Sequence, residues 1–336
     1  MSDSTLGQLP VPLEIGKEYP PPGEDAVTQK LQDLHLQVQA AQAPGRRGEH
    51  PKQHGGVWAR FRVEKDIPSA FRVGIFKDPR TYTAFVRYSN GRTFDDRLPD
   101  VHGMAVKVFV PNAEATLEPP FQQDFILADH PIFFARNVQH IFDFLAATVA
   151  GTPATQLAMT THPKLVGFTC PPSSTPLRLT YWSQTPYKFG EGAVKYVASP
   201  SIEQDGAVVE LNPASPDALR EAMVEQLSFR KIGAHFDFCV NPQSDATAMP
   251  IEDPTVEWTS APCKLATVSI YPQEFDSPEQ MSFVENLTWS PWNSLPPHAP
   301  LGGINRARRG IYLDSQALRH KTNGIQPYQA TGRESF

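Results

Sequence analysis

The stretch from Arg46 to Val63 reads RRGEHPKQHGGVWARFRV, and its two halves obey different rules. In the first half Gly48, Pro51, Gly55 and Gly56 break any regular pattern, and the segment gathers Arg46, Arg47, His50, Lys52 and His54 into a loop. From Val57 onward, Val57, Ala59, Phe61 and Val63 alternate with Trp58, Arg60 and Arg62, the period of a strand with one buried face. A loop dense in basic and titratable groups is thus delivered onto a strand. The strand pattern continues in TYTAFVRYS (81–89), GMAVKVFVP (103–111) and QQDFILAD (122–129).

Farther along, RLTYWSQTPYKF (178–189), AVKYVAS (193–199), AVVEL (207–211), HFDFCVN (235–241) and CKLATVSIYP (263–272) read as further short strands. Helical spacing appears between these groups. Val27, Leu31, Leu34 and Val38 form one apolar stripe, and Ile141, Leu145 and Val149 form another. The segments at 215–230 and 277–287 each open on Ser-Pro, with Ser215 and Ser277 as expected N-caps. About eight strands with few βαβ alternations predict an α+β protein: an antiparallel β-barrel with surrounding helices. Residues 1–24 are proline-rich and read as an extended arm, with 25–336 as a single domain.

Composition narrows the function classes. The chain has 336 residues, 20% of them charged, and a formal net charge of -6, which gives no whole-chain reason to expect a nucleic-acid partner. No apolar run approaches the length of a membrane span, and the N-terminus lacks the basic leader and apolar core of a secretory signal, so a cytoplasmic location is the expectation. The three cysteines, Cys170, Cys239 and Cys263, form no Cys-x-x-Cys arrangement and read as small buried side chains. No glycine-rich phosphate loop and no Ser-His-Asp signature is present.

The chemistry sits in two charged segments, one near each end. Near the C-terminus, NRARRGIYLDSQALRH (305–320) places Arg306, Arg308, Arg309 and Arg319 around Tyr312. If it is helical, Arg308 lies one turn before Tyr312 and Arg319 nearly two turns after it, on a shared face. A guanidinium within hydrogen-bond reach favours a phenolate, and a phenolate is a good anionic ligand for ferric iron. Arg306 and Arg309 fall on other faces and read as surface charge.

The arrangement Arg308-x-x-x-Tyr312 with Arg319 seven residues later resembles the proximal haem segment of the catalase superfamily. Three further segments match that family in order. Arg47-x-x-His50-Pro-Lys52 leading to Phe61-Arg-Val63 resembles the distal histidine segment, with one extra residue between the histidine and the strand. Arg87-Tyr88-Ser89 and Gly103-Met-Ala105-Val106-Lys107 follow, and then Pro131-Ile-Phe133-Phe134. The resemblance implies a ferric haem b ligated by Tyr312, with Arg308 on the phenolate and Arg47, Arg87 and Arg319 as propionate partners. It also implies His50 as distal acid/base, Ser89 fixing its tautomer, and Phe134 and Phe142 packing on the ring.

One departure matters. Catalases place an asparagine two residues ahead of the residue before Pro-Ile-Phe-Phe, and here that position is Ala128, followed by Asp129 and His130. Asp129 is the candidate to lean into the distal pocket in its place, though its carboxylate accepts rather than donates unless protonated, and His130 is the less favoured substitute. Oxidising a second hydrogen peroxide needs that molecule positioned, so weak or absent dismutation with retained peroxide activation is expected. The chain is also short for the family, which resembles the catalase-related peroxidases and allene oxide synthases and implies a more open route to haem. The function expected is peroxidase-type oxidation with hydrogen peroxide or organic hydroperoxides as substrate. A fatty-acid hydroperoxide isomerase or lyase, or a non-catalytic haem-binding protein, are the alternatives, and the resemblance allows a homo-oligomer.

Overall fold

A computed structural model describes residues 12–42, 45–111, 122–151, 172, 174–202, 206, 208–328 and 330–336. Cys170 and the start of the proline-rich arm lie outside them. Among the described residues, nine antiparallel strands are hydrogen-bonded in the order β5-β4-β3-β2-β1-β9-β8-β7-β6. They are β1 (Lys52–Val63), β2 (Thr81–Asn90), β3 (His102–Phe109), β4 (Gln122–Ala128), β5 (Tyr181–Trp182), β6 (Tyr187–Phe189), β7 (Gly192–Pro200), β8 (Ala234–Pro242) and β9 (Cys263–Ile270). Because β5 also pairs with β7, eight of them close into a barrel and β6 hangs from β7 as a hairpin arm.

A closed barrel of this size is filled by its own side chains. Phe61, Phe76, Phe125, Tyr196 and Phe238 are fully buried and meet ring to ring, with Phe125 4.7 Å from Phe238 and 4.8 Å from Tyr196. The outer face is covered unevenly. β8 alternates buried and half-buried residues, as a strand with one side toward water should. β2 is buried on both faces from Ala84 to Asn90, because Phe85 packs outward against Val284, Leu287 and Trp289. That extra cover marks the side of the barrel where the cavity lies.

The helices supply the cover. They are α1 (Glu24–Gln42), α2 (Val138–Val149), α3 (Ala218–Val224, continued by a π turn over Glu225–Phe229), α4 (Pro278–Asn286) and α5 (Gly303–Asn323). Ser277 caps α4 in a reciprocal capping box with Gln280. Ser215 does not cap α3: its hydroxyl bonds Glu221, and the Leu219 N–H is taken instead by Asp96 Oδ2 at 2.9 Å, from the loop after β2. Leu31 on α1, Val138 and Leu145 on α2 and Ala307 on α5 bury one another.

Several expectations are corrected here. AVVEL forms no strand over its described residues, since Val209 is buried in a loop and Val208 is exposed. The stretch 178–189 breaks into β5 and β6, where Gln184 adopts a left-handed backbone, φ 60°. Cys239 and Cys263 are free thiols and only half-buried. Arg306 is not surface charge: its guanidinium is held by Glu18, Glu24 and Glu252, which ties the N-terminal segment to the start of α5. The same carboxylates accept the Gly302 and Gly303 N–H groups, where negative charge suits a helix N-terminus. Among the described residues no helix is long and apolar enough to cross a membrane.

Candidate active site

The cavity lies between the outer ends of β1–β4 and helix α5, and it measures about 730 Å³ including its open part. Arg47, His50, Arg87 and Ser89 line it from β2 and the loop before β1, and Tyr312 and Arg319 line it from α5. The two conspicuous segments of the sequence therefore meet across one space.

His50 is held tightly at its backbone. Its N–H donates to the Gly91 carbonyl at 3.0 Å, and its own carbonyl accepts from Arg87 Nη2 at 2.8 Å. The residue sits at φ 55°, a left-handed conformation that costs a non-glycine residue about 1–3 kcal/mol and that these two bonds maintain. The ring Nδ1 is 3.2 Å from Ser89 Oγ. With the hydrogen on Nδ1, Nε2 keeps a lone pair. Burial, reinforced by the Arg87 charge, pushes the imidazole down to about 4, so it is neutral at neutral pH. Gly103, opposite Ser89 on β3, makes room: a Cβ there would lie 2.6 Å from His50 Nδ1 and 2.9 Å from Ser89 Oγ.

Three arginines converge nearby. Arg47 Nη2 donates to the carbonyls of Val284, Glu285 and Leu287, and Arg319 donates to the Glu285 carbonyl. The Nε atoms of Arg47 and Arg87 are buried without a hydrogen-bond partner among the described residues. Glu285 is the carboxylate close to them, 4.0 Å from Arg47 and 3.7 Å from Arg319. Burial, with neighbouring guanidinium charge, lowers both Arg87 and Arg319 to about 9. Like charges held together out of water with one carboxylate between them form a site short of anions. On α5, the helix that also carries Arg319, Arg308 Nη2 donates to Tyr312 Oη at 3.3 Å and is itself steadied by Asn305 and Thr185.

These groups fit haem on chemical grounds. Two propionates would meet the unmatched guanidinium groups, and Tyr312 offers an oxygen ligand. Among the described residues no group of three or more His, Cys, Asp and Glu side chains is placed to hold a metal ion.

Other expected residues stand elsewhere. Asp129 does not line the cavity: its carboxylate accepts from His102 Nδ1 at 2.6 Å and from the His102 N–H at 2.7 Å, which consumes both oxygens. Ala128 is buried opposite Gly103 and Trp182, and the cavity wall on β4 is Ile126 and Leu127. Phe134 packs on Phe133 and Phe144. Phe142 shares the α2 face of Val138 and Leu145, which turns it toward α1 and α5. His54, the second histidine of the loop, is fully buried, with Nε2 2.8 Å from Asn90 Oδ1.

Sequence reading missed His35, Glu49, Gly103 and Trp289 as cavity-lining residues. His35 had a signal, since it lies four residues after Leu31 on the buried stripe of α1. Trp289 follows α4 in a loop without periodicity, and nothing local marks it.

No family model and no curated protein matches the sequence. Solved structures do. A fungal catalase superposes with a TM-score of 0.63 at 17% identity, over 97% of this chain and 69% of that one. A bacterial catalase gives 0.59 at 18% identity, over 96% and 68%. Catalase A from Saccharomyces cerevisiae gives 0.59 at 17% identity, over 100% and 74%. Likeness at this identity speaks to the path of the chain rather than to its activity, and the closed barrel with its helices has the catalase fold.

Proposed function

We propose that the chain is a haem-dependent oxidoreductase that activates hydrogen peroxide or organic hydroperoxides in the manner of a peroxidase. The observation that carries this reading is the meeting, in one cavity, of a neutral buried histidine, a tyrosine bonded to arginine, and arginines short of anions. Arg47, Arg87 and Arg319 would hold the propionates and Tyr312 the iron. Bound haem supplies the redox chemistry of O–O cleavage.

The chain's own residues manage the proton. Neutral His50 can take it from an incoming hydroperoxide and hand it to the departing oxygen, while Ser89 keeps the ring aligned. Arg87 keeps the His50 backbone in its left-handed turn. The wall on β3 and β4 is Gly103, Met104, Ala105, Ile126 and Leu127, none of which carries a side-chain donor that could fix a second hydrogen peroxide. Dismutation is therefore weak in this reading, and an organic donor is the reductant.

The test is an optical spectrum of protein purified with haem supplied, followed by peroxide titration with and without a phenolic donor. A Soret band and donor-dependent peroxide consumption, both lost in Tyr312→Phe, are expected. Colourless protein would end the proposal.

A further inference from the structure

The cavity has a second polar wall that proton transfer at His50 does not use. Helix α1 contributes His35 to it, and the loop before β1 contributes Glu49, one residue ahead of His50. His35 is 8% exposed, and neither ring nitrogen has a hydrogen-bond partner among the described residues. A buried imidazole with both nitrogens unused is costly, and its nearest carboxylate is Glu49, with Nε2 to Oε1 at 3.7 Å. Gly48 allows the approach, because a Cβ there would overlap the His35 ring.

Glu49 is different: its side chain is 53% exposed. Partial burial raises its carboxyl, but His35 and Arg92 more than offset this and hold it below its ordinary value. It is an anion at neutral pH. Of the neighbouring cations, Arg92 lies over Phe144 at 5.3 Å and Arg46 over Phe94 at 4.8 Å. A solvent-facing carboxylate remains in the wall, beside the residue that handles peroxide.

We propose that Glu49, backed by His35, docks the organic reductant, and that this reductant is a small aromatic donor bearing a protonated amine. The same carboxylate turns away anionic substrates, including fatty-acid hydroperoxides. The inference rests on the peroxidase-type reading. In the balanced reaction one hydroperoxide and two donor molecules give one alcohol, one water and two donor radicals. Each donor loses one electron and the proton of its own O–H, and the two protons and two electrons complete the oxygen products.

The test pairs tyramine with 4-hydroxyphenylacetate, phenols of similar size and opposite side-chain charge, in haem-loaded protein with hydrogen peroxide at low ionic strength. Wild type is expected to favour tyramine in kcat/KM by about tenfold, equivalent to about 1.4 kcal/mol. Glu49→Gln should bring the ratio near one, Glu49→Asp should retain the preference, and added salt should shrink it. Because each ratio is internal to one protein, differences in haem loading cancel. Calorimetric binding of the two phenols without peroxide gives a second readout, and tyramine affinity should fall about tenfold in Glu49→Gln. An unchanged ratio in Glu49→Gln, or faster oxidation of the anionic phenol by wild type, would overturn the proposal, as would linoleate hydroperoxide reacting as fast as cumene hydroperoxide. If neither phenol is oxidised yet tyramine binds through Glu49, the peroxidase reading fails and the docking site stands.

Discussion

Gly103→Ala puts the smallest available obstacle against the candidate base. The added methyl group would sit 2.6 Å from His50 Nδ1 and 2.9 Å from Ser89 Oγ, about 0.8 Å inside ordinary contact. The strand cannot retreat easily, because Gly103 is paired with Ser89 on one side and Ala128 on the other. The His50 backbone cannot either, since Gly91 and Arg87 hold it. The ring must therefore swing, and the 3.2 Å contact with Ser89 lengthens toward 4 Å, where a hydrogen bond worth about 1 kcal/mol is lost. Overpacking of this kind costs about 1–3 kcal/mol of stability, and misplacing a reacting group by about 1 Å costs on the order of 100-fold in rate. Stopped-flow measurement of the first step with hydrogen peroxide should show that loss, with haem content per protein unchanged because the arginines and Tyr312 are untouched. A rate within about threefold of the parent, at equal haem content, would refute the claim that His50 geometry controls the step.

Haem dimethyl ester, which lacks the two negative charges, should bind at least tenfold more weakly than haem if Arg47, Arg87 and Arg319 await propionates; equal affinities in a haem titration would remove that role. Arg306→Ala leaves Glu18, Glu24 and Glu252 facing one another without their shared cation, so urea unfolding should show a loss of roughly 2–3 kcal/mol. His50, lowered by burial to about 4, and His54 and His298, lowered by burial to about 3, stay neutral in the folded protein at pH values where an unfolded histidine is charged. The unfolded chain then binds more protons, so stability should fall as pH drops from about 6.5 toward 4, by on the order of 4 kcal/mol per pH unit for three protons. Urea midpoints at pH 7 and pH 5 measure this, and equal midpoints would contradict it. Phe125→Ala should cost about 3–5 kcal/mol without changing haem affinity, since Phe125 meets Phe61, Phe76, Tyr196 and Phe238 inside the barrel and does not line the cavity.

The barrel was legible where burial is one-sided and the period of two survives, as in Val57 to Val63 and in β8. It was illegible at β5, where closure rests on Tyr181 and Trp182 and no two-residue pattern can be recognised. Charged residues were legible as a set and not in their roles. Arg306 and Arg308 look alike in NRARRGIY, yet one meets three carboxylates from two distant segments and the other meets Tyr312, because a helix face is assigned by what packs against it. Asp129 looked free to enter the cavity because its partner, His102, lies 27 residues earlier on the paired strand. Ser215 resembled a cap, but the folded chain brings Asp96 to α3 instead. Where the expectation failed, at Arg306, Asp129 and the start of α3, the decisive partner was distant in sequence.

Arg87 has two allegiances, the His50 carbonyl and the space between the arginines. Any anion that draws its guanidinium changes the restraint on the His50 turn, and any ligand that resettles His50 changes what Arg87 can offer the anion. By thermodynamic linkage the two effects are equal in free energy. Under the proposed function, cofactor affinity and the readiness of His50 as base would be one adjustable quantity, and a substitution at either end would be felt at the other through a single side chain.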